Sequence, residues 1–552
     1  MSFNSNAKSR VLACCIMFGL GVLILGFHHE LLNGWWRGDD TQILKFVWQH
    51  KPWEYFFLPK VSQEFTASNL TPWVALSYDF DLALFGLNPA PYYIHHLIIL
   101  WLVLALTFFL LRLWLNPLFA GLGAVLFACG APFFFSSQIL YTRHYWEGLI
   151  FAILALYLFV RAVRDHRPTF SWLGAAFFLL AVSAKELYVP LVVALPFLLE
   201  KDITHRLRAA IPFILVAFLY VGWRWYMLGH PIGGYSHIIA WGNFLSLPVN
   251  ISAYIFGKGV AGLALLSGMI LALILTSKDK WQASLFIIVV VIAVLGPLVP
   301  IADLVAHGGH YSIVLWWVVS FSIAVTLSKF GHSFAGLSIG FGVGVVILCS
   351  VLYQSWELRE RSLPWIHEME MQGKFVWNSE REALFSSPSL TRISWYLNGL
   401  QWLREQDNGG VLKPSVIVDE LQLSQVNLDD MEVWSYSASC ECVENISLKV
   451  PGMLQQWEGR KEIRSLSLRA EYENNIASMR FGPYEQGTYY VINTGGAKRI
   501  FPRSFRSRAH LSQLSFYVRY DSPEGWVTYS PLLHFNGEHE SSFKWERVLP
   551  LQ

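Results

Sequence analysis

Val11-Leu12-Ala13-Cys14-Cys15-Ile16-Met17-Phe18-Gly19-Leu20-Gly21-Val22-Leu23-Ile24-Leu25-Gly26-Phe27 runs without a charge, and its length decides how the chain is read. A helix rises about 1.5 Å per residue and a bilayer core is about 30 Å thick, so roughly 20 apolar residues make one span. The run is too long for the core of a secretory signal, and no small-residue cleavage site follows it. It reads as an uncleaved first membrane helix, spanning about 11–29. Comparable runs lie near 94–114, 117–137, 145–163, 169–184, 187–200, 207–228, 250–276, 281–300, 311–328 and 333–354. The two runs flanking Lys185–Glu186 are each short and could form one broken or re-entrant element.

Composition supports this reading. The 552 residues are 54% hydrophobic and 14% charged, where a soluble domain carries about a quarter charged residues. Mean hydropathy is +0.40. The apolar excess stops near Tyr353 and the sequence then resembles a soluble protein. The expected fold is a polytopic α-helical membrane domain of about eleven spans over 1–358, with a long first outer loop at 30–93. A C-terminal α+β, β-rich domain follows over 359–552. Within it, 363–406 reads as mostly helical. Strand-like stretches follow at 415–418, 432–436, 463–468, 488–492 and 515–520, with turn signals at Asn408-Gly409-Gly410, Thr494-Gly495-Gly496 and Ser522-Pro523-Glu524-Gly525. Trp457 and Trp526 could stack on sugar rings, with core packing as the default. No 34-residue repeat is present.

Net charge is +2 and says nothing about partners. Cys14, Cys15, Cys129 and Cys349 fall in apolar runs, where a thiol packs as a small hydrophobe. Cys440 and Cys442 stand one residue apart, a spacing poorly suited to a structural disulfide.

Lysine and arginine in short loops set orientation. Lys8 and Arg10 precede the first span; Arg161, Arg164 and Arg167 follow the fourth; Lys201, Arg206 and Arg208 follow the sixth. Lys278 and Lys280 follow the eighth and Lys329 the tenth. With alternating spans all of these share the side of the N-terminus, which is expected to be cytoplasmic. The C-terminal domain is then expected outside, most simply on the periplasmic face of a bacterial inner membrane.

The opposite face gathers the residues able to do chemistry. Gly34-Trp35-Trp36-Arg37-Gly38-Asp39-Asp40 leaves the first helix. Paired carboxylates can divide a base role from a binding role, or one of them caps a helix over Thr41–His50. Arg143-His144 could hold a phosphate, the arginine bidentately, or the arginine could snorkel at the interface. Lys185–Glu186 is either a neutralised ion pair or a phosphate contact beside a carboxylate that orients it. The loop from about Gly229 to Pro248 also faces this side, and His307-Gly308-Gly309-His310-Tyr311 forms a polar lip. The glycines between its histidines argue against a helical metal pair, and no HExxH arrangement occurs.

The order of these features resembles a family. An acidic pair in a long first outer loop is followed by Asn69-Leu70-Thr71-Pro72-Trp73, Phe85-Gly86-Leu87-Asn88-Pro89, Tyr92-Tyr93 and His95-His96. Tyr141-Thr142-Arg143-His144, Lys185-Glu186 with Pro190, then Pro300 and His310-Tyr311 come next. This is similar to the GT-C superfamily of membrane glycosyltransferases, in its protein O-mannosyltransferase-like and transmembrane-TPR mannosyltransferase-like branch, over roughly 10–355. The resemblance implies an inverting enzyme using a polyprenyl-phosphate-linked sugar. It implies Asp39 as catalytic base with Asp40 beside it, and Arg143, Lys185 and His310 toward the donor phosphate, in the company of His144, Glu186 and Tyr311. Relatives often carry arginine at the position of His310, and Arg-Pro where this chain has Thr71-Pro72. The implied partners are membrane lipids, a lipid-linked sugar donor and a protein, lipid or glycan acceptor, with no nucleic acid. No cofactor is expected; a divalent cation on the carboxylates is possible but not favoured. A transporter or flippase of lipid-linked sugars, or a non-catalytic envelope assembly protein, are the alternatives, although inverted repeats and midplane charges are not evident.

Overall fold

The computed structural model describes residues 3–200, 202–231, 241–257, 259–301, 305, 309–329, 334–379, 382–385, 391–407, 416–427, 431–473, 476–493, 498–508, 514–535 and 542–549. His307, residues 232–240 of the 229–248 loop and the turns at 408–410 and 494–496 lie outside these residues, and 241–248 of that expected loop are helical. The chain divides into two compact units. The first takes the described residues up to Gly34, from Asn69 to 231 and from 241 to Ser362; the second takes Trp35–Ser68 and those from Leu363 onward.

The longer helices, in chain order, are α1 (Phe3–His28), α2 (Asp40–Gln49), α3 (Pro72–Phe85), α4 (Pro89–Leu111), α5 (Pro117–Cys129), α6 (Arg143–Asp165) and α7 (Pro168–Ala184). A 3₁₀ segment, Glu186–Phe197, precedes α8 (Ile203–Leu228), α9 (Trp241–Phe256), α10 (Gly259–Thr276), α11 (Lys280–Leu295), α12 (Ile313–Ser328) and α13 (Phe334–Asn378). Among the described residues, eight helices are long and apolar enough to cross a membrane, and four shorter apolar ones accompany them. The chain is therefore an integral membrane protein with a β-rich C-terminal region. Local chemistry explains several starts. Proline, whose missing N–H costs nothing in the first turn, opens α3, α4, α5 and α7. Asn88 and Asn116 cap α4 and α5 by accepting from the Ala90 and Phe119 amides.

Three expected spans are not single helices. The run 117–137 breaks at Gly130, where an added Cβ would lie 2.0 Å from the Trp316 indole; a short helix, Ala131–Ser136, follows. The run 250–276 folds back at Gly257, whose φ of 76° suits glycine alone. There α9 and α10 pack so closely that a Cβ on Gly259 would meet Val249 at 2.7 Å. The run 187–200 is 3₁₀ because Pro190 and Pro196 remove helical donors. Conversely, the helix that contains the last expected span runs beyond 354, and α13 continues to Asn378.

The second unit carries three sheets. β2 (Val416–Ile417), β1 (Ala383–Phe385), β3 (Val433–Ser437) and β4 (Cys442–Asn445) form a mixed sheet in that order. β11 (Val527–Tyr529), β10 (Leu514–Asp521), β7 (Thr488–Asn493) and β8 (Lys498–Phe501) form a second, with β12 (Leu533–Phe535) also on β10. β13 (Ser542–Leu549), β5 (Leu466–Glu473), β6 (Ile476–Gly482) and β9 (Ser504–Arg508) form the third. The longer helices here are α2, the part of α13 from Leu363, α14 (Thr391–Asp407) and α15 (Val450–Arg460). Trp457 and Trp526 are 4% and 7% exposed, and Trp526 packs with Leu468, Phe481 and Tyr520. Both are core residues and are not surface stacking platforms. Cys440 and Cys442 are bonded, against the expectation from their spacing. The turn between β3 and β4, with Glu441 at φ 51°, sets their Cα atoms 5.2 Å apart, within the span a disulfide bridges.

A buried charge cluster ties the second unit together. Arg519 on β10 reaches Asp419 at 2.5 Å, Asp521 at 2.6 Å and Glu420, with Arg519 and Asp419 side chains 2% and 0% exposed. Lys498, also buried, places its ammonium 4.3 Å from the Tyr490 ring without a hydrogen-bond partner among the described residues. Burial lowers the Lys498 ammonium to about 8.

Candidate functional site

In the second unit, the acidic pair splits by environment. Asp40 is fully buried and accepts the Arg37 N–H at 2.7 Å. Arg37 in turn forks onto Glu370 Oε1 through Nε at 2.8 Å and Nη2 at 2.6 Å. Asp39 is exposed. It holds the N-cap position of α2, and its carbonyl accepts the Gln42 and Ile43 amides, but its side chain makes no capping bond. The helix expected over 41–50 thus forms at 40–49, while neither carboxylate caps it through its side chain. Thr41 Oγ1 donates to the Tyr396 carbonyl at 2.9 Å and Gln42 Nε2 to the Trp395 carbonyl at 2.7 Å, fixing α2 on α14. The same α14 tryptophan lies under Arg499, 4.6 Å from its ring, and the Asp39 charge acts on that guanidinium. Of the two acids, Asp39 is the one that solvent reaches, and Asp40 organises the turn.

In the first unit, Arg143 does not snorkel. It is 1% exposed and pairs at 2.5 Å with Asp81 on α3, whose other oxygen meets His95 Nδ1 at 2.8 Å. One turn along α6, Glu147 faces Arg143 Nε at 3.7 Å and accepts from Ser77 Oγ at 2.7 Å and Trp73 Nε1 at 3.1 Å. This cation is matched inside the helices.

The neighbouring residue turns to a different cluster. Tyr145, 3% exposed, is its hub. The rings of His144, His310 and Tyr311 stand 4.6, 5.3 and 6.5 Å from it, and the Lys185 ammonium lies 4.9 Å from its face. His144 is oriented through Nδ1 to the Tyr141 carbonyl at 2.9 Å. Tyr188 donates its hydroxyl to the Tyr145 carbonyl at 2.5 Å. Helix α7 ends at Ala184, so Lys185 is extended (φ −157°, ψ 133°) and Glu186 opens the 3₁₀ segment. Glu186 pairs with Arg224 of α8 and accepts the Leu70 N–H. Arg224 is 2% exposed and acts electrostatically on Lys185. Lys185 therefore stands against the aromatic cluster of Tyr145, and the next residue, Glu186, holds Arg224, whose charge acts on Lys185; two neighbouring cations beside aromatic rings suit an anion. The proposed site residues His144, Lys185, Glu186, His310 and Tyr311 come together here; Arg143 stands apart with Asp81.

A cavity of about 760 Å³ lies in the same unit, lined almost wholly by apolar side chains including Leu149, Leu191, Val192, Phe213, Ile270 and Trp317. That volume is typical of ligand cavities. Two elements, α6 and the 3₁₀ segment, line both the cavity and the cationic recess.

Sequence reasoning alone misses Tyr145, Asp81, Glu147 and Arg224. For Glu147, spacing from Arg143 by one helical turn was a usable signal. Arg224, an arginine inside an otherwise apolar run, was another. No family model and no curated protein matches the chain.

Proposed function

We propose that this chain is an inverting membrane glycosyltransferase that moves a sugar from a polyprenyl-phosphate donor to an acceptor hydroxyl. The observation that carries the reading is the sharing of α6 and the 3₁₀ segment between a cationic recess and a large apolar cavity. An amphiphile with an anionic head and a long hydrocarbon tail asks for that combination. The order of motifs along the first 355 residues supports the same class.

In the proposed reaction, Lys185 and Arg224 hold the donor phosphate and His144, His310, Tyr145 and Tyr311 wall the recess. The acceptor oxygen bonds to the anomeric carbon as the bond from that carbon to the phosphate oxygen breaks. The electron pair leaves with polyprenyl phosphate, whose charge the fixed cations stabilise. Asp39, the exposed member of its pair, takes the acceptor proton. Such a base contributes about 10²–10⁴ in rate. Attack opposite the leaving group inverts the anomeric centre without a covalent enzyme intermediate. We further propose about eleven spans, a cytoplasmic N-terminus, and a bacterial inner membrane with the C-terminal region outside.

The test uses the full chain in lipid nanodiscs with a panel of radiolabelled polyprenyl-phosphate sugars, reading release of free polyprenyl phosphate. Release with at least one sugar, lost in Lys185→Gln, supports the reading. Unaltered donors across the panel, together with movement of labelled donor between leaflets, would favour a lipid transporter instead.

A further inference from the structure

We infer that Glu186 is an internal stand-in for the donor phosphate, occupying the anion position of the recess until the lipid head displaces it. The inference rests on the proposed phosphate site and adds its regulation. Glu186 engages a guanidinium and a backbone N–H together, Arg224 and Leu70. A phosphate oxygen satisfies the same two donors, and anions bind well to backbone amides beside a cation. Lys185, adjacent in sequence, meets the face of Tyr145 at 4.9 Å and no carboxylate within ion-pair distance among the described residues. Arg224 and Lys185 repel each other across this site, and Glu186 is the carboxylate that meets Arg224.

The pair is also unequal in access. The Arg224 side chain is 2% exposed and that of Glu186 is 22%. The partner reachable from outside is therefore the carboxylate, while the cation beneath it is sealed. Glu186 sits on a 3₁₀ segment interrupted by Pro190 and Pro196, with extended backbone just before it at Lys185. A carboxylate there can rotate away more readily than one fixed in an α-helix. By contrast the Asp81–Arg143 pair, at 0% and 1% exposed, is closed on both sides. When the phosphate arrives, Arg224 and the Leu70 amide exchange one anion for another, and Lys185 supplies the additional charge that favours phosphate over carboxylate. The resting recess is thereby kept from leaving a buried arginine uncompensated, which is costly.

Binding measurements on the full chain in nanodiscs test this, with a polyprenyl monophosphate and, separately, inorganic phosphate as probes. Glu186→Gln keeps the shape and a carbonyl for the Leu70 amide but removes the competing charge. It should bind the polyprenyl monophosphate about tenfold more tightly than wild type, while Lys185→Gln should bind it about tenfold more weakly. Unchanged or weaker binding in Glu186→Gln would overturn the inference, with Lys185→Gln showing whether the site still takes phosphate. If Glu186→Gln misfolds, Glu186→Asp, too short to span both donors, should still tighten binding, and its failure to do so in a folded sample would also overturn it. Equal tightening toward inorganic phosphate would uphold the stand-in but identify a soluble ligand, removing the lipid-donor reading alone.

Discussion

Replacing Arg143 by methionine separates a structural arginine from a phosphate ligand. The side chains of Arg143 and Asp81 are 1% and 0% exposed and meet at 2.5 Å. Methionine would leave Asp81 buried with His95 as its remaining side-chain partner here, and would leave Glu147 with Ser77 and Trp73. Breaking a buried pair from one side costs about 3–5 kcal/mol, because the surviving charge is uncompensated. Against a typical total of about 5–15 kcal/mol that is a large share. Thermal unfolding of the full chain in detergent should therefore show Arg143→Met melting several degrees lower. The triple variant Arg143→Met/Asp81→Asn/Glu147→Gln should recover most of the loss, since neither carboxylate facing Arg143 is left as a bare charge. Below the melt, polyprenyl monophosphate binding by Arg143→Met should stay within about twofold of wild type, a difference under about 0.5 kcal/mol. A variant that melts normally but binds the lipid ten times more weakly would refute the reasoning and return Arg143 to the phosphate.

Two further outcomes follow from the geometry. Lys498 titrates near 8 in the fold against about 10.4 in an unfolded chain, so the unfolded state holds the proton more tightly between these values. Stability of the second unit is then lowest below pH 8 and rises as pH climbs from 8 toward 10; Lys498→Met should be more stable at pH 7 and lose that rise, as read by hydrogen exchange at β7 and β10. Gly257→Ala adds a Cβ 2.5 Å from Gln354 Oε1 at a positive φ, and should cost at least about 1–2 kcal/mol, seen as a lower melting temperature.

Much of the fold is legible in the sequence because its driving patterns are local. Apolar length marks the long helices, and alternation marks strands: 488–492 and 515–520 were expected where β7 and β10 form at Thr488–Asn493 and Leu514–Asp521. What was not legible depends on distant contacts. Gly130 breaks a run that carries no charge, where only glycine leaves room for the distant Trp316 indole, whereas the turn at Gly257 sits beside the visible signal Gly257-Lys258-Gly259. The apolar run stops near 354 while α13 continues, because charges such as Glu357 and Arg361, one helical turn apart, look like a soluble linker in sequence yet pair along the helix. In the site, Lys185–Glu186 was visible as charge between apolar runs. Its completion by Arg224, and the removal of Arg143 by Asp81, required knowing which helices touch. The two carboxylates Asp39 and Asp40 were equivalent in sequence; burial alone distinguishes them.

Sugar transfer by Asp39→Asn, compared with wild type in the same nanodiscs under single-turnover conditions, bears most directly on the proposed chemistry. With donor binding unchanged, the account predicts a transfer rate lower by about 10²–10⁴. Transfer at the wild-type rate in the folded Asp39→Asn protein would contradict it.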